Sequence, residues 1–170
     1  MSINQDIADV AVIMGSQSDF PTMNNSISIL EELNISYKTM IISAHRTPER
    51  LYTFAKSAET NGFKIIIAGA GGAAHLPGLV ASLTYLPVIG VPIKSSNLNG
   101  IDSLLSIVQM PKGIPVATMS IGSSGGYNAA IMAASILSLS NNIIKTNLQI
   151  WRDNLSASVK LLPDTSLQTS

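Results

Sequence analysis

Val10-Ala11-Val12-Ile13-Met14, running into Gly15-Ser16-Gln17-Ser18-Asp19, decides how the chain is read. Five consecutive apolar residues suit a strand buried on both faces, and the Gly/Ser/Asp run that follows is a loop. Apolar residues at Phe20, Met23, Ile27, Leu30 and Leu33 then share one side of a helix. The unit recurs. Tyr37 to Ile42 reads as a strand and Ser43-Ala44-His45-Arg46-Thr47-Pro48 as a loop. Leu51, Phe54, Ala55 and Ala58 form a helix face, with Thr47 as N-cap, Pro48 at the first helical position and Asn61-Gly62 as a stop.

Lys64 to Ala68 makes a third strand, opening into Gly69-Ala70-Gly71-Gly72-Ala73-Ala74-His75 before a short helix near Leu76 to Thr84. Val88 to Val91 and Pro115 to Ile121 supply a fourth and a fifth strand. Between them a helix carries Ile101, Leu104, Leu105 and Val108 on one face, and after the fifth strand Tyr127 to Leu139 is helical and almost uncharged. Five apolar strands alternating with helices predict an α/β fold. Its form is a three-layer, doubly wound, five-stranded parallel sheet, flavodoxin-like or Rossmann-like, with an extra C-terminal helix. That last helix has a stripe of Ile144, Leu148, Trp151, Leu155, Val159 and Leu162, and needs a partner surface. One domain is expected over 1–162, including this helix over 142–162, with a polar, frayed tail over 163–170.

The 170 residues are 46% hydrophobic and only 12% charged, against the roughly 25% of a typical soluble domain. Ile65 to Ile93 and Gly113 to Ile144 hold no Asp, Glu, Lys or Arg, and each is long enough to span a bilayer. Pro77, Pro87, Pro92 and the Gly69–Gly72 run break the first, while Gly113, Pro115 and Ser123-Ser124-Gly125-Gly126 interrupt the second, so no membrane partner is expected. Met1 to Val10 lacks the apolar core of a secretion signal, which leaves the cytoplasm as the expected location. Ten Lys+Arg balance ten Asp+Glu, without the basic footprint that nucleic acid demands. Lack of Cys excludes disulfides and thiolate metal sites, and two His with no Asp cluster argue against a transition metal.

Ligands of doubly wound sheets sit at the carboxyl ends of the strands, so the loops beginning at Gly15, Ser43 and Gly69 are where chemistry is expected. Both histidines, His45 and His75, lie there, with Asp19, Arg46, Ser16, Ser18 and Ser43. Ser16, Ser18 and Asp19 stand at a helix start, where free N–H groups suit a phosphate, although the same residues cap helices routinely. Arg46 offers a bidentate fork to a phosphate, or alternatively a surface ion pair with a residue such as Glu49. His45 is a candidate general acid and base, or a loop hydrogen-bonding group. Gly69-Ala70-Gly71-Gly72-Ala73-Ala74 matches the dinucleotide fingerprint. However, it follows the third strand, and no Asp or Glu lies between Thr60 and Ile101 to hold a ribose. The small residues suit close approach of backbone amides to a compact ligand, or simply tight packing. Ser123-Ser124-Gly125-Gly126 is no nucleophile elbow and reads as a turn into the next helix.

Met14-Gly15-Ser16-Gln17-Ser18-Asp19, Ser43-Ala44-His45-Arg46-Thr47-Pro48, Ala68 to Gly78 and Ser106-Ile107-Val108-Gln109-Met110-Pro111, in this order, resemble the PurE family, the N5-carboxyaminoimidazole ribonucleotide mutases of purine biosynthesis. The resemblance runs from about Val10 to Trp151. It implies an isomerase, without cofactor or metal, that moves a carboxyl group from the exocyclic nitrogen of an aminoimidazole ribonucleotide to ring carbon 4. It further implies that Arg46 and Ser16 hold the phosphate, Asp19 the ribose hydroxyls, and Ser18 and Ser43 further hydrogen bonds. Ala70 and Gly71 would face the imidazole and carboxylate, and His45 would carry the proton with His75 close by. A homo-octamer with exchanged C-terminal helices is implied too, which makes 142–162 an oligomerisation helix. His45-Arg46 and the Ala70–His75 run resemble the mutase branch. Direct carboxylation of aminoimidazole ribonucleotide by carbon dioxide is the alternative activity, and a non-catalytic nucleotide-binding module is the alternative without turnover. Tyr127, and the polar Ser95-Ser96-Asn97 with Asn99, depart from the family pattern.

Overall fold

A computed structural model describes residues 8–163. Most of the Met1 to Val10 stretch, and the tail after Pro163, lie outside the described residues. Strands β1 (Val10–Met14), β2 (Tyr37–Ile41), β3 (Ile65–Gly71), β4 (Val88–Ile93) and β5 (Ala117–Thr118) form one sheet in the order β2-β1-β3-β4-β5. Every pairing is parallel, and this order is the flavodoxin-like one of the two expected windings. The connecting helices are α1 (Phe20–Glu32), α2 (Pro48–Ser57), α3 (Leu76–Ala81), α4 (Ile101–Val108) and α5 (Ser123–Leu137). Helix α6 (Asn142–Ser158) follows.

The strand period sorts the core into two layers. Val10, Val12, Met14, Ile65, Ile67, Ile89 and Val91 pack with α1, α5 and the first half of α6. Ala11, Ile13, Ile66 and Ala68 meet α2, α3 and α4 through Leu51, Phe54, Leu76, Val80 and Ile107. With helices covering both faces, the central strands are apolar throughout. Strand β2, at the sheet edge, is the strand that exposes Lys38 and Thr39.

Helices α1 and α5 lie close because small residues let their backbones approach. Ser26 Oγ donates to the Gly126 carbonyl at 2.5 Å across that contact. A Cβ on Gly126 would overlap the Thr22 carbonyl oxygen, and one on Gly125 the Ser120 carbonyl oxygen. Because backbone rather than a flexible side chain is in the way, Gly126→Ala is expected to force the helices apart. The expected cost is about 3 kcal/mol, roughly a 10 °C fall in melting temperature for a chain of this size, read by thermal denaturation.

Several sequence expectations need correction. Ser123-Ser124-Gly125-Gly126 is the first turn of α5 rather than a turn before it, and α5 ends at Leu137, not Leu139. Strand β5 is two residues long, because only Ala117 and Thr118 pair, with Ile89 and Gly90; Pro115 has no N–H to contribute to a ladder. Helix α3 stops at Ala81, short of Thr84, and α6 stops at Ser158, short of 162. In α6, Ile144 and Leu148 are buried and Trp151 packs on Tyr127 with ring centroids 5.9 Å apart. Leu155, Val159 and Leu162 are exposed.

Helix α4 differs most. Of the expected face, Leu104 is half-buried, while Ile101, Leu105 and Val108 turn away from the sheet, with 51%, 53% and 47% of their surface exposed. The buried side carries Ser103 and Ile107. Ile107 fills the space beside Gly90 on β4, and Ser103, itself fully buried, makes two hydrogen bonds; together these set the helix rotation.

Candidate active site

Parallel strands that diverge at their carboxyl ends leave a cleft between the β1 and β3 loops. Here that cleft encloses about 530 Å³, within the range of small-molecule sites. All nine residues expected from sequence line it: Ser16, Ser18, Asp19, Ser43, His45, Arg46, Ala70, Gly71 and His75.

The β1 loop closes through a 3-10 turn, Gln17–Asp19. The Ser16 N–H donates to Asp19 Oδ2 at 3.0 Å, and the Ser16 and Ser18 hydroxyls lie 2.5 Å apart. Burial pushes the Asp19 carboxyl above its ordinary value of 3.8, and hydrogen bonds from Ser16, Gly15 and Ser18 pull only partly against it. Since the folded state holds this proton more tightly than the unfolded chain, stability falls as pH rises from about 3.8 through the folded value and stays lower above it. Asp19→Asn, which is neutral and keeps an acceptor for Ser16, is therefore expected to melt no lower than the wild type at pH 7. Its advantage should shrink on acidification, as thermal melts across pH would read.

In the β2 loop Thr47 stands at the helix start as expected, but its hydroxyl does not cap α2. Thr47 Oγ1 instead accepts from the Ser43 N–H at 3.0 Å and donates to the Ser43 carbonyl at 2.9 Å. This closes the Ser43–Thr47 turn that presents His45 and Arg46. Arg46 Nε donates to Ser43 Oγ at 3.1 Å, and Nη2 reaches the Gly15 carbonyl at 3.5 Å. The guanidinium thus bridges the β1 and β2 loops. The alternative of an ion pair with Glu49 is not the arrangement found.

His45 Nε2 lies 2.8 Å from His75 Nδ1, with the rings edge to face at 81° and centroids 4.9 Å apart. One nitrogen must donate and the other accept, so this contact couples the tautomers of the two rings. Ala70 is buried and Gly71 exposed at the end of β3. Gly72, with φ +66°, turns the chain toward His75.

Sequence reasoning missed the fourth loop. Ile93, Lys94, Ser95 and Ser96 also line the cleft. The rule placing ligands at carboxyl ends covers β4 as well as β1 to β3. Lys94, which ends the first charge-free stretch, was the available signal. Asp102 and Ser95 hold this loop through a 2.6 Å hydrogen bond.

The AIR carboxylase family model matches residues 9–158. N5-carboxyaminoimidazole ribonucleotide mutase of Haemophilus influenzae is 55% identical over 92% of this chain and 96% of its own. The enzyme of that name from Escherichia coli K12 is 51% identical over 96% of this chain and 97% of its own. The crystal structure of Treponema denticola PurE superposes with a TM-score of 0.81 at 28% identity, covering 94% of this chain and 98% of that one. The parallel sheet, the four-loop cleft and these matches along nearly all of the chain lead to one assignment: the chain belongs to the AIR carboxylase family.

Proposed function

We propose that this chain is an isomerase of purine biosynthesis, converting N5-carboxyaminoimidazole ribonucleotide to 4-carboxy-5-aminoimidazole ribonucleotide. The observation that carries the reading is the meeting, in one cleft, of an anion-suited edge and an imidazole pair. Arg46 with the Ser16–Asp19 turn forms that edge, and His45 with His75 the pair. Relatives at 51% and 55% identity bear the name of this activity. Arg46 and Ser16 bind the phosphate, Asp19 the ribose hydroxyls, and Ser18 and Ser43 complete the hydrogen bonding. Ala70 and Gly71 bring backbone against the imidazole and its carboxylate.

The chemistry balances on one proton. The bond from the exocyclic nitrogen to its carboxylate breaks, its electron pair stays on nitrogen, and the nitrogen takes a proton from the His45 imidazolium. Carbon 4 then attacks the released carbon dioxide, forming a carbon–carbon bond, and its own proton passes back to His45. The site returns to its starting charge, and no oxidant or cofactor is consumed. The small residues of the β3 loop let its backbone close against carbon 4 and the released carbon dioxide.

Supplying each nucleotide separately, with and without excess bicarbonate, tests the reading. Turnover of the N-carboxylated nucleotide without bicarbonate supports the mutase. Turnover only of the uncarboxylated nucleotide with bicarbonate supports the direct carboxylase. Binding without turnover supports a nucleotide-binding module.

The same reading includes cytoplasmic residence and a homo-octamer in which C-terminal helices reach neighbouring subunits. Among the described residues no helix is long and apolar enough to cross a membrane. The exposed faces Ile101, Leu105 and Val108 on α4, and Leu155 and Val159 at the α6 end, are apolar surface that an assembly would cover. Light scattering is expected to report the octamer; a monomer at working concentration contradicts it.

A further inference from the structure

The motif Ser106-Ile107-Val108-Gln109-Met110-Pro111 has no atom among the groups assigned to the nucleotide, yet three of its residues rest on glycines of β4, α3 and the loop after β3. Ile107 fills the space beside Gly90 on β4, and Met110 that beside Gly78 on α3. Ser106 Oγ reaches the Gly72 carbonyl at 3.3 Å and the Asp102 carbonyl at 2.7 Å. One turn earlier, fully buried Ser103 does more. Its Oγ accepts from the Gly72 N–H at 2.9 Å and donates to the Ile93 carbonyl at 2.7 Å.

The place of that hydroxyl is informative. Strands β3 and β4 pair through Gly71 and Ile93, the last register pair of their ladder. Past it the two chains part, one toward His75 and the other toward Lys94. Ser103 Oγ stands between the first N–H of the departing β3 loop and the last carbonyl of β4, satisfying both without closing the sheet. Gly72 and Ile93 both line the cleft. Gly72 is thus tied to α4 through its N–H by the Ser103 hydroxyl, while the Ser106 hydroxyl, which donates chiefly to Asp102, lies 3.3 Å from its carbonyl oxygen.

We infer that Ser103, seconded by Ser106, is a positioning residue: it holds the β3 loop open at a fixed distance from the β4 loop, so that Ala70, Gly71 and His75 meet the reacting end of the nucleotide. The inference rests on the mutase reading. The phosphate and ribose contacts lie on the β1 and β2 loops, which neither serine touches. Loss of the hydroxyl should therefore slow the chemical step without loosening the nucleotide.

The test compares full-length wild type, Ser103→Ala, Ser106→Val and Ser106→Thr. Measurements are kcat and KM for the N-carboxylated nucleotide, and Kd for the uncarboxylated one. Misplacing a reacting group by a fraction of an ångström is expected to lower kcat of Ser103→Ala by about tenfold to a hundredfold. Kd should stay within about twofold of wild type. Folded Ser103→Ala with wild-type kcat, or with kcat and nucleotide affinity lost together, overturns the inference. If Ser103→Ala fails to fold, the Ser106 pair decides. Threonine retaining the wild-type rate while valine, of the same shape, loses it supports the inference, and equal rates for the two overturn it. Lack of turnover in the wild type itself strikes the mutase reading, and the inference with it.

Discussion

His45→Asn is expected to abolish interconversion while the nucleotide still binds. The proposed reaction uses one imidazole twice, first as the acid that protonates the exocyclic nitrogen and then as the base that takes the proton from carbon 4. Asparagine fills similar space and still hydrogen-bonds, but it neither gives up nor takes a proton near neutral pH. General acid and base catalysis contributes about 10²- to 10⁴-fold per group, and both proton steps pass through this one. A fall in kcat of at least about 10³-fold is expected. Affinity for the uncarboxylated nucleotide should hold, because the proposed phosphate and ribose contacts belong to Arg46, Ser16 and Asp19. Measuring kcat together with that affinity separates the roles. Near-normal turnover would remove His45 from the mechanism. A remnant of about a tenth of the wild-type rate would mean that His75, whose Nδ1 stands 2.8 Å from His45 Nε2, takes over the proton.

The two histidines also show why the site could be read before any coordinates. A chain with few charged residues has few polar groups to place, and both its imidazoles follow predicted strands. In a parallel sheet all strand ends that follow this pattern point to one edge, so residues 30 apart in sequence meet. The sheet order could be narrowed to two windings by strand count and periodicity alone, because buried parallel strands are apolar on both faces.

What stayed hidden depends on contacts that periodicity does not encode. The apolar positions of α4 form a good helical face, and period alone gives no means of telling that the side bearing Ser103 is the buried one. Only the divergence of β3 and β4, which strands two backbone groups beside that helix, makes a serine the better inward residue. Thr47 is similar. Its position before Pro48 fits a cap, but the Ser43 turn competes for the same hydroxyl and takes it. Strand β5 has enough apolar residues for a longer strand; Pro115, with no N–H for the ladder, accounts for its late start.

Arg46→Ala is expected to act on binding rather than on chemistry, the opposite signature to that of His45→Asn. Of the five N–H donors of a guanidinium, Arg46 directs one to Ser43 and one toward Gly15. That pins the planar group across two loops and leaves the rest for a phosphate. Two charge-assisted hydrogen bonds to a dianion, each at the low end of about 1.5 kcal/mol because the side chain is exposed, sum to roughly 3 kcal/mol, or about 10²-fold in KM. In the proposed reaction the phosphate is remote from the bond that breaks and is held equally in the ground and transition states, so kcat at saturation should change little. Arg46→Lys restores the charge without the fork or the bridge to Ser43, and should recover only part of the loss. The wild-type affinity should also weaken with added salt more than that of Arg46→Ala, since an exposed cation is screened. If Arg46→Ala instead lost kcat at unchanged KM, the guanidinium would have to be reassigned from the phosphate to the migrating carboxylate. The anion-suited edge would then rest on Ser16, Ser18 and the first turn after β1, with Lys94 on the fourth loop as the remaining cation lining the cleft.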